Sequence, residues 1–161
     1  CGLPEVNLGI IPAGGGTQRL TRMVGLDAAH GLLRTGKPLS SVDALGLGIV
    51  SHVCPSDALI ATAVGLVAHI SSGRMEIGCV DPEPFADVPE TLPDIDIGHR
   101  SRAVDALICE SILGGLRQPL QDGLAHELEV FKRICALQDM RIGIENFITK
   151  GPRSPAPFVH G

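Results

Sequence analysis

Three consecutive glycines, Gly14 to Gly16, stand where an apolar run meets an amphipathic segment, and they limit what this chain can build there. Glycine lets a backbone turn sharply and come close to whatever it faces. The helix that follows then begins with unpaired N–H groups aimed the same way. Upstream, the run Cys1-Gly-Leu-Pro-Glu-Val-Asn-Leu-Gly-Ile-Ile-Pro12 carries a single carboxylate, Glu5. A lone acid beside backbone donors is the makings of a site for proton transfer. The glycines do not form a nucleotide loop. A phosphate-binding G-x-x-x-x-G-K-[ST] pattern needs Lys and then Ser or Thr, and here Thr17-Gln18-Arg19 follows; G-x-G-x-x-G is not matched either. On the residues alone the cluster reads as a tight turn into a helix.

The rest of the chain must supply a core without large aromatics. It has 161 residues, enough for one domain, with no Trp, no Tyr and 4 Phe, so the core has to be aliphatic. The lack of stacking rings and the net charge of −5 argue against a nucleic-acid partner. Five cysteines, at positions 1, 54, 79, 109 and 135, form no C-x-x-C pair, and reduced, mostly buried thiols are expected. No apolar run approaches the ~18 residues of a membrane span, and no signal peptide is visible. A cytoplasmic location without a membrane span is the expectation. The chain starts at Cys1, without Met, directly in its densest motif, which predicts a piece of a longer protein.

Periodicity predicts helices over 15–24, about 27–34 with Asp27 as cap, 39–48 with Ser40 as cap, and 57–71. Leu8 to Pro12 reads as a short connection or strand end, and the alternation of Ile49 to Val53 predicts a strand. Residues 73–98, with prolines at 82, 84, 89 and 93 and many acids, read as a solvated linker or insert. Three organisational units follow: 1–72, 73–98 and a helical subdomain with its tail over 99–161. In the last, helices are predicted from Ser101 to Leu113, stopped by Gly114-Gly115. A second runs from Leu120 to Leu137 with Leu124, Leu128, Phe131 and Cys135 on one stripe. The third runs from Asp139, as cap, to about Thr149, with Ile142 or Gly143, Ile144, Phe147 and Ile148 inward.

The remaining chemical candidates are sparse. The six histidines are scattered without metal-ligand spacing, so no metal site is predicted. No Ser lies in G-x-S-x-G and no Cys has a visible His partner. Asp105, Glu110, Glu127 and Glu129 read as solvated helix faces. Lys132, Arg133, Arg141, Lys150 and Arg153 read as surface charge or, alternatively, as a contact for a ligand's phosphates.

The stretch Gly2-Leu-Pro-Glu-Val-Asn-Leu-Gly-Ile-Ile-Pro12 followed by Gly-Gly-Thr-Gln-Arg-Leu20 resembles the crotonase superfamily, in particular the enoyl-CoA hydratases and isomerases. The resemblance continues through Leu33-x-Thr-Gly-Lys-Pro-Leu-Ser40, Asp43-Ala-Leu-Gly-Leu-Gly-Ile-Val50, and a closing D-x-R-x-G-x-x-x-F pattern at Asp139, Arg141, Gly143 and Phe147. It implies an α/β, crotonase-like fold, of which this chain would be a mostly helical part with few short strands. It also implies chemistry on an acyl thioester of coenzyme A, with an enolate held by two backbone N–H groups. Glu5 matches the second of the two hydratase glutamates. Ala13, after Ile-Ile-Pro, matches the residue whose backbone N–H faces the catalytic water, although the family's usual Gly-Ala order is inverted in Ala13-Gly14. Pro12, Gly14 and Leu20 would contact substrate. The first glutamate and the oxyanion donors lie in family segments upstream of this chain, so little activity is expected of it alone. No cofactor is implied beyond the coenzyme A of the substrate. The intact protein would be a trimer or hexamer.

Overall fold

The computed structural model describes residues 1–76 and 78–161. Seven α-helices form among them: α1 (Gly16–Val24), α2 (Leu26–Thr35), α3 (Ser41–Gly46), α4 (Leu59–Ser71), α5 (Arg102–Leu116), α6 (Leu120–Ile134) and α7 (Gln138–Lys150). Short 3-10 turns precede α1 (Pro4–Leu8) and α4 (Ser56–Ala58). The termini of these helices follow local chemistry. Ser40 caps α3 by accepting the Asp43 N–H at 3.1 Å, while its own hydroxyl donates to the Asp43 carboxylate at 2.6 Å. Ser101 caps α5 by accepting the Val104 N–H at 3.2 Å. Gly36 ends α2 in the left-handed region, with φ 59°. Asp27 lies in the first turn of α2 rather than at its cap, a place Gly25 takes.

The core is aliphatic, as the composition requires. Val6 and Ile11 meet Ala29 and Leu33 of α2, Val104, Ile108, Ile112 and Leu116 of α5, and Val130 and Ile134 of α6. Helix α5 lies at the centre, packed on α1, α2 and α6, so helices on both sides of residues 73–98 share one core. Residues 73–98 themselves are not simply solvated. Phe85, Val88 and Leu92 pack against the core, and the Phe85 N–H donates to the Leu116 carbonyl at 2.9 Å.

Several expectations fail for identifiable reasons. No strand forms among the described residues: Ile49–Ser51 make a bend and His52–Val53 are irregular, because a ladder needs a neighbouring strand and none is present among them. Gly114 and Gly115 do not stop α5, which runs on to Leu116. They are sites of close approach. A Cβ on Gly115 would lie 2.2 Å from Gln18 Oε1, and one on Gly114 2.4 Å from His126 Nε2. The buried face of α6 is Gly123, Glu127, Val130 and Ile134, one position away from the expected stripe, which leaves Leu128 half exposed. Helix α7 turns Gly143 and Asn146 inward and leaves Phe147 and Ile148 exposed. Of the cysteines, Cys1, Cys79 and Cys135 are exposed and all are free, contrary to the expected burial.

Helix α4 buries none of its residues, and Leu59, Ile60, Val64 and Val67 present a contiguous apolar face to solvent. It is not long enough to cross a membrane, and neither is any other helix among the described residues.

Two glycines separate these environments experimentally. A Cβ on Gly143 would lie 2.2 Å from the Leu8 carbonyl oxygen, whereas one on Gly65, inside α4, meets nothing within 4 Å. Gly143→Ala is expected to destabilise the protein by about 1–3 kcal/mol. Gly65→Ala should instead stabilise it by about 0.5–1 kcal/mol, because alanine is the better helix former. Urea melts of both variants check the contrast.

Candidate functional site

Glu5 stands on the Pro4–Leu8 turn. Pro4 presets φ at its first position, and Gly9 ends it with φ 67°. The turn is seated on α7: a Cβ on Gly9 would lie 2.5 Å from the Asp139 carbonyl oxygen. Glu5 is half-buried, and its Oε2 is shielded from solvent with no hydrogen-bond partner among the described residues. A shielded carboxylate oxygen without a donor is costly, and functional groups are one place where that cost persists.

The other sequence candidates fall in different surroundings. Pro12 is buried, and a Cβ on Gly16 would lie 2.6 Å from its Cβ. The Ala13 N–H donates to the Ile11 carbonyl at 2.8 Å inside the turn. Gly14 is exposed, and its carbonyl accepts from Arg19 Nη1 at 2.7 Å. Leu20 lines an apolar cavity of about 280 Å³ with Leu3, Met23, Leu32 and Leu39, and Arg19 and Lys37 also line it. Glu5, Pro12, Ala13 and Gly14 do not line that cavity.

Two N–H groups at the start of α1, those of Gly15 and Thr17, are not free for a ligand. They are taken by Glu127, a residue expected on a solvated face but only 1% exposed. Its Oε1 accepts the Gly15 N–H at 2.7 Å and its Oε2 the Thr17 N–H at 3.0 Å. The Thr17 hydroxyl also donates to Oε2 and lies 2.8 Å from Ser111 Oγ. Gln18 Nε2 donates to Thr17 Oγ1 at 3.1 Å and to the Ser111 carbonyl at 2.8 Å. A carboxylate at a helix N-terminus complements both the unpaired donors and the helix dipole. The sequence did carry a signal for this. Glu127 shares helical spacing with Gly123, Val130 and Ile134, and an acid on that face must be paired inside.

Two further buried ionic groups lock the frame. Arg34 holds Asp105 through two parallel hydrogen bonds, of 2.7 and 2.8 Å, and donates to the Pro93 carbonyl at 2.6 Å. Burial of the nearby Cys109 thiol pushes it up to about 11, with Asp105 adding to the rise and Arg34 opposing it, so it is a poor nucleophile. Asp139 is fully buried and accepts from Ser101 Oγ at 2.5 Å, the Val159 N–H at 2.8 Å and His160 Nδ1 at 2.9 Å. Of the late basic residues, Lys132 pairs with Glu129 and Arg133 with Glu110.

Asp139 carries a pH dependence. Desolvation alone would raise its pKa, but the hydrogen bonds from Ser101, His160 and Val159 together outweigh it and hold the carboxyl below the usual range. A lowered folded-state pKa contributes stability above the unfolded value of about 3.9, and that stability is lost as pH falls through the folded value. Urea melts from neutral pH down to about pH 3 should show wild type losing stability at the acid end. Asp139→Asn should be less stable at neutral pH and lose less on acidification; an identical acid slope for the two proteins would contradict this account.

Comparison with known proteins agrees with the sequence pattern. The sequence model of the family described as "Enoyl-CoA hydratase/isomerase" matches residues 1–79. A probable enoyl-CoA hydratase of Rhizobium meliloti is 30% identical over 159 residues, covering 99% of this chain and 50% of that protein. The fatty acid oxidation complex subunit alpha of Shewanella frigidimarina is 49% identical over 65 residues, covering 40% of this chain and 9% of that protein. Among solved structures, an enoyl-CoA hydratase subunit from Geobacillus kaustophilus aligns over 96% of this chain and 49% of that one at 29% identity. Its TM-score is 0.42. The chain thus spans half or less of the length of these relatives. Its first 79 residues match the model of the enoyl-CoA hydratase/isomerase family and nearly its whole length aligns with a probable hydratase, and both findings support assigning the chain to that family.

Proposed function

We propose that this chain is part of an enoyl-CoA hydratase that adds water to 2-trans-enoyl-CoA thioesters in fatty-acid β-oxidation, with Glu5 as general acid/base. The observation that carries the reading is Glu5 Oε2, an unpartnered and shielded acceptor on a turn seated against α7. In the reaction, a carboxylate there takes a proton from the attacking water as oxygen bonds to the β-carbon. The electron pair of the double bond moves into the thioester as an enolate, and a proton delivered to the α-carbon completes the addition. The enolate oxygen needs fixed N–H donors. In this reading those donors and a second glutamate come from family segments outside these 161 residues. Coenzyme A arrives as part of the substrate, and no separate cofactor is used. The intact protein assembles as a trimer or hexamer, a reading supported by the bare apolar face of α4.

A second reading is an enoyl-CoA isomerase in which Glu5 shuttles the proton alone. It is favoured by one fact: Glu5 is the single carboxylate of residues 1–25.

The test uses crotonyl-CoA for hydration and a 3-enoyl-CoA for isomerisation. The chain alone is expected to hydrate crotonyl-CoA at least ~10²-fold more slowly than an intact hydratase, the cost of a missing oxyanion donor. Fused behind the upstream half of the Rhizobium meliloti relative, it should gain activity that Glu5→Gln lowers by about 10²–10⁴-fold. Turnover of the 3-enoyl-CoA alone would select the isomerase. Full hydratase rate in the fused Glu5→Gln variant would remove Glu5 from the mechanism. Silence of the unaltered fusion toward both acyl-CoAs, in turnover and in binding, would leave an assembly module.

A further inference from the structure

The turn that carries Glu5 is fixed from the far end of the chain. It sits on α7 at Gly143, where a Cβ would lie 2.2 Å from the Leu8 carbonyl oxygen and 2.9 Å from Leu8 Cα. Gly9 is gripped from two sides: a Cβ there would lie 2.5 Å from the Asp139 carbonyl oxygen and 3.0 Å from Phe158 Cε1. The next residue, Ile10, donates its N–H to the Glu5 carbonyl at 3.3 Å, and the Gly9 N–H donates to the Val6 carbonyl at 3.2 Å. A displacement at Gly9 therefore reaches the backbone of Glu5 through one peptide and one hydrogen bond.

The tail that brings Phe158 to this place is pinned at three points. Asn146 Nδ2 donates to the Ser154 carbonyl at 2.7 Å. The Asp139 carboxylate accepts the Val159 N–H at 2.8 Å, and His160 Nδ1 lies 2.9 Å from it. The Arg102 N–H, at the start of α5, donates to the His160 carbonyl at 2.7 Å. Between the pins Ala156 is buried, its carbonyl accepts the Phe158 N–H at 3.0 Å, and Pro152, Pro155 and Pro157 restrict φ. Asp139 thus serves twice. Its main-chain carbonyl faces Gly9, and its side chain holds the tail whose ring faces the same glycine.

We propose that Phe158 and Asp139 are positioning residues for Glu5: the pinned tail bears on the end of the turn and sets where the carboxylate stands during proton transfer. The proposal rests on the reading of Glu5 as general acid/base. Glu5 Oε2 meets no donor among the described residues, so hydrogen bonds to it do not direct it and its place follows from the backbone that carries it. Proton transfer needs the carboxylate within hydrogen-bond reach of the proton it moves. A misplacement of about 1 Å is enough to cost about 10²-fold in rate.

Two measurements test it. In the 15N-labelled chain, Phe158→Ala should shift the amide resonances of residues 5–10 and speed solvent exchange of the Ile10 amide by about tenfold or more. Phe158→Leu, which refills the contact on Gly9, should restore both. In the fusion behind the upstream half of the Rhizobium meliloti relative, Phe158→Ala should lower kcat for crotonyl-CoA by about 10–10²-fold. KM should stay within about twofold, the mark of an interaction that matters only in the transition state. Phe158→Leu should recover most of the rate. His160→Ala alters a side chain that is half exposed, so it keeps the fold and should move the same amides in the same sense by less. This arm stands even where Phe158→Ala fails to fold. Ile112→Val trims the core on α5 and should lower the urea midpoint without changing kcat or the amides of residues 5–10. Unmoved amides at residues 5–10 in both tail variants overturn the proposal. So does a full kcat in the Phe158→Ala fusion while Glu5→Gln is slow, and that result leaves the role of Glu5 standing. An equal loss of kcat in Ile112→Val also overturns it, since Phe158 would then act through stability alone. A fusion that is silent, or that keeps its full rate with Glu5→Gln, removes the reading beneath and this proposal with it.

Discussion

A carboxylate cut off from water must be satisfied by the protein, and Glu127 is satisfied by the first turn of α1. The arrangement is demanding on both partners. Helix α1 has no side-chain cap of its own and begins at a glycine in the left-handed region, so its first donors need an acceptor from elsewhere. Helix α6 has an acid on its inward face that needs donors. Each defect is the remedy for the other, across 112 and 110 residues of sequence. Thr17, Gln18 and Ser111 extend the network into α5, so three helices meet on one charge. Removing a single partner would strand a buried charge or a set of buried donors, which is why such networks hold only when complete.

Asp139 does for α5, α7 and the tail what Glu127 does for α1, α5 and α6. It joins the Ser101 cap, the Val159 backbone and His160, while the carbonyl of the same residue abuts Gly9 at the end of the Glu5 turn. The stretch from Gly9 to Thr17 therefore hangs between two buried acids borne by helices far downstream. The candidate chemistry lies at the chain's start, but its geometry is dictated by the second half. This explains how a nearly coil-like segment can present defined groups: its rigidity is borrowed from α6 and α7.

The parts legible in the sequence were those written locally. The helices, the Ser40 cap, the Gly36 stop and the aliphatic core follow from periodicity and capping chemistry. The family was legible because Gly2 to Pro12 and Gly15 to Leu20 are contiguous. The misreadings concern residues whose meaning depends on a distant partner. Gly114 and Gly115 look like a stop until Gln18 and His126 are seen against them. Glu127 looks solvated until the bare start of α1 is placed beside it. Asp139 looks like a cap until Ser101 and the tail arrive. Ile49 to Val53 has a strand's alternation and no strand to pair with. The polar networks were missed because the pairing of a buried donor with a buried acceptor has no periodicity.

The path of residues 81–93 has its own consequence. Arg22 reaches from α1 to the carbonyls of Asp81 and Glu83, Arg117 follows α5 and donates to the Pro89 carbonyl at 2.7 Å, and Arg34 of α2 donates to that of Pro93. All three guanidinium groups recognise main chain, which every amino acid possesses. Only Phe85, Val88 and Leu92 are held in place by their side chains. A segment secured in this way can change most of its residues over evolutionary time while keeping its route, and the burden of preserving that route falls on three arginines and on the main-chain bonds that tie Pro82 to Leu120 and Phe85 to Leu116.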